Sequence, residues 1–214
     1  APGVTQLFPD GHIINLHPWE HNDVAPALAA AFSTDVPIIA LHLTRPAIEV
    51  PDREKLGIAS HLDASKGAYL IRDYDDRPKE GVVIVRGTSA TRTVVSILEQ
   101  IGTDHNVKIV SAVSWELFRR QEQAYKDSII SKTEWSDSMI VTNTGLRIMH
   151  NWISNRVVSE YSVSPDWDDS WRTGGSLDEI IDEAHLSPRW VLKAIQKFTS
   201  ERSSRLERLR SEIP

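Results

Sequence analysis

Three histidines near the N-terminus have a spacing at which imidazoles could share a metal ion. They are His12, His17 and His21, in the pattern H-x4-H-x3-H. His17 precedes a proline in a predicted turn, and His12 begins a predicted strand. No cysteine or carboxylate stands one helical turn away to complete a ligand shell. The series therefore argues against a zinc site, and we predict no metal-binding residue.

A cluster of aspartates in the segment SPDWDDSW could supply the first ligands of a calcium loop. It holds Asp166, Asp168 and Asp169. Such a loop needs a glycine at its sixth position and a bidentate glutamate at its twelfth. Trp171 and Leu177 occupy those positions here, so the segment is predicted to be a polar turn.

The residues Gly87, Thr88 and Ser89 precede a predicted helix and could place an anion at its N-terminus. With one glycine and no lysine the segment is not a P-loop, so we predict that it caps the helix. The chain has no G-x-S-x-G elbow, and its lack of cysteine excludes thiolate nucleophiles. No catalytic residue is predicted.

Composition narrows the possible classes of protein. The chain has 214 residues, 40% of them hydrophobic, and a formal net charge of −6. Without a dense basic stripe, binding along the phosphates of nucleic acid is not expected. No apolar run approaches the roughly 20 residues of a membrane-spanning helix. We therefore predict a soluble, cytoplasmic chain without nucleic-acid or membrane partners.

The elements that must position these residues alternate between strand and helix. A first βαβ unit is predicted from runs at 12–16, 22–32 and 37–43, with Asn22 or Asp23 capping its helix. The run 37–43 is apolar at nearly every position, as in a strand covered on both faces. An irregular stretch around 50–66 follows and is predicted to be a linker.

Beyond the stretch 50–66 the same alternation resumes. Further strands are predicted at 68–73, 82–86, 107–113, 138–143 and 156–163, and helices at 91–102, 115–130, 147–153, 176–185 and 188–211. The segment VSAVSWELFRRQEQAY at 110–125 joins a strand to a helix. Trp115, Leu117 and Phe118 are predicted to cover that strand, with Ser114 as the helix N-cap.

Several motifs together resemble the C-terminal part of transketolases. In that family a valine-serine strand end leads into Trp-Glu-Leu-Phe, Gln and Tyr, at the spacing found here. The matching residues are Val110, Ser111, Trp115, Glu116, Leu117, Phe118, Gln121 and Tyr125. Further similarity lies in ASKGAYL at 64–70, VIVRGT at 83–88, LHLTR at 41–45 and the segment 176–198.

The chain also departs from the transketolase pattern. The family's Gly-Ser-Glu is replaced by Gly87-Thr88-Ser89, and its Glu-Ala-Gly by Asn143-Thr144-Gly145. A Trp-rich segment replaces Phe-Gly-Ala-Ser. The Gly-Asp-Gly metal motif and the Gly-Glu-Asp-Gly-Pro-Thr-His segment are missing from these residues. The resemblance therefore indicates a divergent member of which this chain holds one part.

The resemblance implies a fold and a division of the chain. The expected fold is a three-layer α/β/α sandwich with a mostly parallel sheet, preceded by a partial βαβ unit. Residues 1–50 would be the tail of a pyrimidine-binding domain, 51–66 a linker, and 67–214 the C-terminal domain. Of the individual residues, Arg45 matches the family's arginine that holds the substrate phosphate.

The resemblance also implies a parent enzyme of pentose phosphate metabolism. That transferase would move a two-carbon ketol unit between sugar phosphates, using thiamine diphosphate and Mg or Ca. The fragment itself is expected to bind neither cofactor nor metal and to be inactive. It would pack on the remaining domains and support a homodimer. Two alternatives stay open: a free-standing, non-catalytic regulatory module, or one half of a split thiamine enzyme.

Overall fold

Two β-sheets organise the part of the chain that the computed structural model describes, residues 2–44, 47–170, 172 and 174–212. The smaller sheet pairs β1 (Ile13–Leu16) with β2 (Ile38–Leu41) in parallel. The larger contains β3 (Ala68–Arg72), β4 (Val82–Arg86), β5 (Lys108–Ala112) and β6 (Ser138–Thr142). Its strand order is β3-β5-β4-β6, with only β3 antiparallel among these four.

Helices follow and connect these strands. They are α1 (Pro2–Thr5), α2 (His21–Phe32), α3 (Arg53–Leu56), α4 (Thr88–Ser96), α5 (Leu98–Asp104), α6 (Trp115–Phe118), α7 (Gln123–Ile129), α8 (Lys132–Ser136), α9 (Arg156–Tyr161), α10 (Leu177–Glu183), α11 (Pro188–Ser200) and α12 (Arg202–Glu212). Two 3₁₀ helices span His61–Lys66 and Leu146–Trp152. None of the helices in the described part of the chain has the length and apolarity to cross a membrane.

The four-stranded sheet is covered on both faces, as the alternation of strands and helices predicts. On one face Val83 and Val85 pack in a cluster with Val94 of α4 and Ile195 of α11. On the other face Val82 and Ile84 pack with Phe118 and Trp152. The connections β4 to β5 and β5 to β6 therefore lie on opposite faces. This reversal creates a crevice at the carboxyl ends of β4 and β5.

One predicted strand is wrong. The run RVVSEYSV at 156–163 forms helix α9 instead, and only Val163 makes an isolated bridge, to Val141. The side chain of Asn155 accepts a hydrogen bond from the Val158 N–H and so caps the helix. This cap, together with burial of Val157 and Val158, outweighs the strand preference of the β-branched residues.

Three of the predicted helices are each divided into two shorter ones. The predicted helices at 91–102, 115–130 and 188–211 are each interrupted, near Ile97, Arg119 and Glu201. Helix α2 is capped by Glu20, whose side chain accepts from the Asn22 N–H, so the predicted caps are wrong. Helix α11 begins at Pro188, as predicted.

Strand β2 is more exposed than its sequence predicts. All four of its residues are half-buried, although the apolar run predicts a strand covered on both faces. The segment 51–66, predicted to be an irregular linker, is instead ordered as α3 and a 3₁₀ helix that packs against α2. The proposed division of the chain into domains stays a prediction.

A buried ionic network joins segment 51–66 to α2 and β3. The Nη2 of Arg53 lies 2.7 Å from a carboxylate oxygen of both Glu20 and Asp23, whose side chains are fully buried. The Tyr69 hydroxyl donates to Asp23 at 2.9 Å and accepts from the Trp19 ring N–H at 2.7 Å. Burial raises the pKa of Asp23 to about 6, while Arg53 and Tyr69 oppose that rise.

Replacing Arg53 with methionine is expected to leave two buried carboxylates without their cation. The free energy of unfolding should fall by about 3–5 kcal/mol, because an unpaired buried charge retains its desolvation cost. Urea denaturation measures this. The control is Arg156→Met, which breaks an ion pair with Glu160 in which the arginine side chain is 86% exposed. In Arg156→Met the free energy of unfolding should fall by less than about 1 kcal/mol. Equal losses would contradict a structural role for the network.

Candidate functional site

The crevice at the carboxyl ends of β4 and β5 is bounded by the smaller sheet. The His17 N–H, just after β1, donates to the carbonyl of Val113, just after β5, at 2.8 Å. The His42 N–H, just after β2, donates to the carbonyl of Leu16 at 2.9 Å. The carboxyl ends of strands from both sheets therefore meet here. Open α/β sheets place their ligands at such an edge.

Arg86, the last residue of β4, lies at the centre of this crevice and is only 6% exposed. Its Nη2 donates to the Thr144 hydroxyl at 3.0 Å, and its Nε has no hydrogen-bond partner among the described residues. Burial lowers the pKa of Arg86 to about 10, with a smaller opposing effect from Glu116. The guanidinium is therefore a buried cation at neutral pH.

Two cavities lie at this crevice, and His17 lines both of them. The first, of about 60 Å³, is lined by Arg86, Asn15, Glu116 and Trp115, among others. Glu116 is held there by the Asn15 side-chain amide at 3.2 Å and by the Ser114 hydroxyl, also at 3.2 Å. This cavity therefore contains a carboxylate whose hydrogen-bond acceptors are already engaged.

The second cavity, of about 140 Å³, has a different chemistry. Its described lining is His17, Pro18, His42, Leu43, Thr44, Gly87, Thr88, Asn143 and Thr144, which includes no acidic residue. Helix α4 begins here, with Gly87 as an N-cap that forms no side-chain hydrogen bond. The predicted capping by this segment is therefore not seen as a side-chain contact. The N-terminus of α4 instead borders the cavity.

Gly87 is required at this position for two reasons. Its φ of +90° lies in a region that side chains other than glycine's rarely adopt. A Cβ here would also lie 1.8 Å from Oδ1 of Asn143. The backbone of the α4 N-terminus can approach the β6 loop only because this residue has no side chain.

The three histidines weighed as metal ligands, and the predicted phosphate-binding residue, lie in different surroundings. His12 and His21 are exposed, whereas His17 is buried and stacks on His42 with ring centroids 4.3 Å apart. Among the described residues, no group of three or more His, Cys, Asp or Glu side chains could hold a metal ion. Arg45, the predicted phosphate-binding residue, lies outside the described residues. Its neighbour Thr44 lines the second cavity.

The aspartate segment forms a turn rather than a ligand loop. Asp166 accepts hydrogen bonds from the Leu146 N–H at 3.1 and 3.2 Å. Asp168 pairs with Arg172 at 2.6 Å. These carboxylates are therefore used within the fold, as a polar turn requires.

The aromatic segment at 115–118 follows its prediction in part. The Ser114 hydroxyl accepts from the Leu117 N–H at 3.3 Å, so the predicted cap is confirmed. Leu117 and Phe118 are buried as predicted. Trp115 is only half-buried: it packs between Trp135 and Trp152 and lines the first cavity. It therefore belongs to the crevice as well as to the core.

No sequence motif marks Arg86, His42 or Asn143 as a site residue. Arg86 had one available signal, since it is the charged end of the otherwise apolar run VVIVR. A charge at the carboxyl end of a buried strand is a reason to expect a ligand. His42 and Asn143 acquire their place only when the two sheets meet, so no local pattern marks them.

Comparison with known proteins agrees with this fold. Residues 67–163 match a family model described as the transketolase-like TK C-terminal domain. The chloroplastic transketolase of Craterostigma plantagineum is 30% identical over 126 residues, which are 56% of this chain and 22% of that protein. The chloroplastic transketolase of Zea mays is 29% identical over 126 residues, 17% of its length. The chain thus spans about a fifth of these curated relatives.

Solved transketolase structures share the fold. A transketolase from Leishmania mexicana superposes with a TM-score of 0.69 at 16% identity, covering 94% of this chain and 27% of its own. A Pichia stipitis transketolase complex with a seven-carbon sugar phosphate gives 0.66 at 19% identity, covering 92% and 26%. The predicted mixed, mostly parallel α/β fold and the resemblance that implied it are confirmed.

The protonation state of the stacked His17 and His42 rings depends on their burial and on the charge of the crevice. Burial, and then the nearby Arg86 and His42, lower the pKa of His17 well below its usual value. Burial and Arg86 also lower the pKa of His42. Both rings are therefore neutral at pH 7, and protonating either would bring a second positive charge beside Arg86.

We expect this pair to make the fold less stable in acid. Because the pKa of His17 is lower when folded than the unfolded value of about 6.5, the unfolded chain gains a proton first as the pH falls. The stabilisation is complete above about pH 6.5 and is lost below it, at up to about 1.4 kcal/mol per pH unit. Urea denaturation of His17→Gln between pH 7.5 and 5, in phosphate-free buffer, should show a shallower loss. His12→Gln, at an exposed position, serves as the control. An identical slope in wild type and His17→Gln would contradict the assignment.

Proposed function

Because residues 67–163 form a transketolase-like C-terminal domain, we propose that this chain is the C-terminal portion of a ketol-transferring enzyme. The parent would move a two-carbon unit between sugar phosphates. Similarity to transketolases in both curated sequences and solved structures supports this proposal. So does the Pichia stipitis transketolase, which has been solved with phosphorylated sugars.

The observation that carries the proposal is the incompletely covered strand β2 of the smaller sheet, whose partner β1 is buried. Parallel strands are normally buried on both faces, yet all of β2 is half-exposed. Phe32, at the end of α2, is 73% exposed, and Leu43, after β2, is 65% exposed. A βαβ unit with such open apolar surface is suited to pack against further domains. We propose that the remaining transketolase domains cover it and that the assembled enzyme is a homodimer.

Thiamine diphosphate and its divalent cation are assigned to those remaining domains. A pyrophosphate-bound cation needs a set of oxygen ligands, and the described residues offer no group of acidic side chains placed to hold a metal. The Gly-Asp-Gly motif is missing from the sequence given. The cofactor supplies the carbanion chemistry when bound. This chain contributes packing surface and a group for the substrate.

Arg45 is the proposed contact to the substrate phosphate. It follows β2 closely in sequence, and open sheets bind ligands at the carboxyl ends of their strands. A guanidinium binds phosphate through two parallel hydrogen bonds while keeping its charge. That the neighbouring Thr44 lines the second cavity supports this proposal. A cytoplasmic location stays a prediction, since two of the relatives are chloroplastic.

Arg45→Ala in the assembled enzyme is expected to weaken use of phosphorylated sugars selectively. Loss of a charged hydrogen bond corresponds to about 1.5–3 kcal/mol, or about a 10- to 150-fold lower kcat/KM. Steady-state ketol transfer with a sugar phosphate, and with the same sugar lacking phosphate, measures the difference. Arg156→Ala, at an exposed arginine, controls for general effects of removing a charge. Equal losses with both sugars would mean that Arg45 is structural.

A further inference from the structure

The crevice contains a buried cation that the described residues do not neutralise. Arg53 pairs with Glu20 and Asp23. Two other buried cations are likewise paired, Lys108 with Glu134 and Arg205 with Asp137. Arg86 forms no ion pair with any described residue, and the nearest carboxylate that affects it, Glu116, is bound by Asn15 and Ser114. A buried charge of this kind is stable only when something compensates it.

We propose that the second cavity binds a phosphate-class oxyanion, which supplies the negative charge that Arg86 lacks. The site is formed by the residues that follow β4 and β6 together with the strand ends of the smaller sheet, and its proposed donors do not include Arg45. Its occupancy does not require ketol transfer. Free phosphate and a phosphomonoester share the chemistry that the cavity would recognise.

The N-terminus of α4 provides the first set of donors. This helix has nine residues, and its N-cap, Gly87, makes no side-chain hydrogen bond to the first turn. Unpaired N–H groups and the helix dipole favour an anion at such an end. The glycine brings the backbone close to Asn143, so the helix end and the β6 loop border one space.

Side chains around the cavity provide the rest. Thr88 and Thr144 present hydroxyls, and Asn143 presents an amide. Arg86 lines the first cavity rather than the second, but its guanidinium donates to the hydroxyl of Thr144, which lines the second. The His17 ring is only 8% exposed, lines the cavity, and forms no hydrogen bond to a described side chain or backbone group. Such a buried, unpartnered ring is a donor available to a ligand.

Size and charge agree with this assignment. A volume of about 140 Å³ accommodates several water-sized groups, and a phosphate group has five heavy atoms. The described lining contains no carboxylate that would repel an anion. The first cavity does contain a carboxylate, that of Glu116.

A tethered anion tests the proposal without removing Arg86. Thr144→Glu places a carboxylate beside the guanidinium, and Thr144→Gln is a neutral control of the same shape. In the wild-type chain inorganic phosphate should raise the Tm, whereas chloride at equal ionic strength should not, and Thr144→Gln, which lacks one hydroxyl donor, should show a smaller but measurable rise with phosphate. Thr144→Glu should have a higher Tm than Thr144→Gln without phosphate. The calorimetric affinity of Thr144→Glu for phosphate should be at least tenfold weaker than that of Thr144→Gln.

Several outcomes would overturn the site. One is that phosphate stabilises the wild-type chain no more than chloride does. Another is equal phosphate affinity in Thr144→Glu and Thr144→Gln. A third is loss of phosphate binding in Arg45→Ala with full binding in Thr144→Glu, which would assign the anion to Arg45. Because this test uses binding to the chain itself, its result is independent of whether the parent transfers ketol units.

The source of the phosphate is distinguished in the Arg45→Ala background. Ribose 5-phosphate and ribose are added as competitors of inorganic phosphate. Displacement by ribose 5-phosphate alone supports the site and identifies a phosphomonoester ligand. No displacement by either supports a site for free phosphate. Displacement by ribose would overturn the proposal, because recognition would then not depend on the phosphate.

Discussion

The ion pairs of Arg53 with Glu20 and Asp23 are the interaction on which the arrangement of the two sheets depends. Arg53 lies in the segment between the sheets, the two carboxylates begin α2, and Tyr69 in β3 completes the network. Buried charges tolerate little displacement, because separation leaves each one desolvated and unpaired. The smaller sheet is therefore fixed in orientation against the larger one. Both cavities exist because the strand ends of the two sheets are held facing each other.

Within that arrangement the crevice concentrates positive charge. The reversal of connections between β4 and β5 opens the sheet edge, and Arg86 ends β4 at that opening. Burial, and then the charge of Arg86, lower the pKa of His17 and of His42, and that charge adds to the dipole of α4. The Glu116 carboxylate accepts hydrogen bonds from Asn15 and Ser114. One side of the crevice is thus suited to an anion, and the other is closed by an engaged carboxylate.

Local sequence patterns predict the strands of this fold well. They predict poorly the contacts between residues that are distant in the sequence, such as the Arg53 network and the crevice. The apolar runs that became β3, β4, β5 and β6 are unambiguous, since each is a short β-branched segment between turns. The run at 156–163 misled because its valines favour a strand, whereas the Asn155 cap decides for a helix. Arg53 stands in a polar stretch that resembles a linker, and only its distant partners reveal its burial. The crevice residues likewise come from five strand ends, so no sequence window contains them.

The most direct measurement is calorimetric titration of thiamine diphosphate with magnesium into this chain, alone and combined with the remaining domains of the proposed parent enzyme. A ketol-transfer assay follows. The chain alone should give no binding and no transfer, because its described residues offer no ligands for the pyrophosphate-bound cation. The combination should bind the cofactor and transfer the ketol unit. Tight, magnesium-dependent binding by the chain alone would contradict its role as a C-terminal portion. So would full activity of the remaining domains without it.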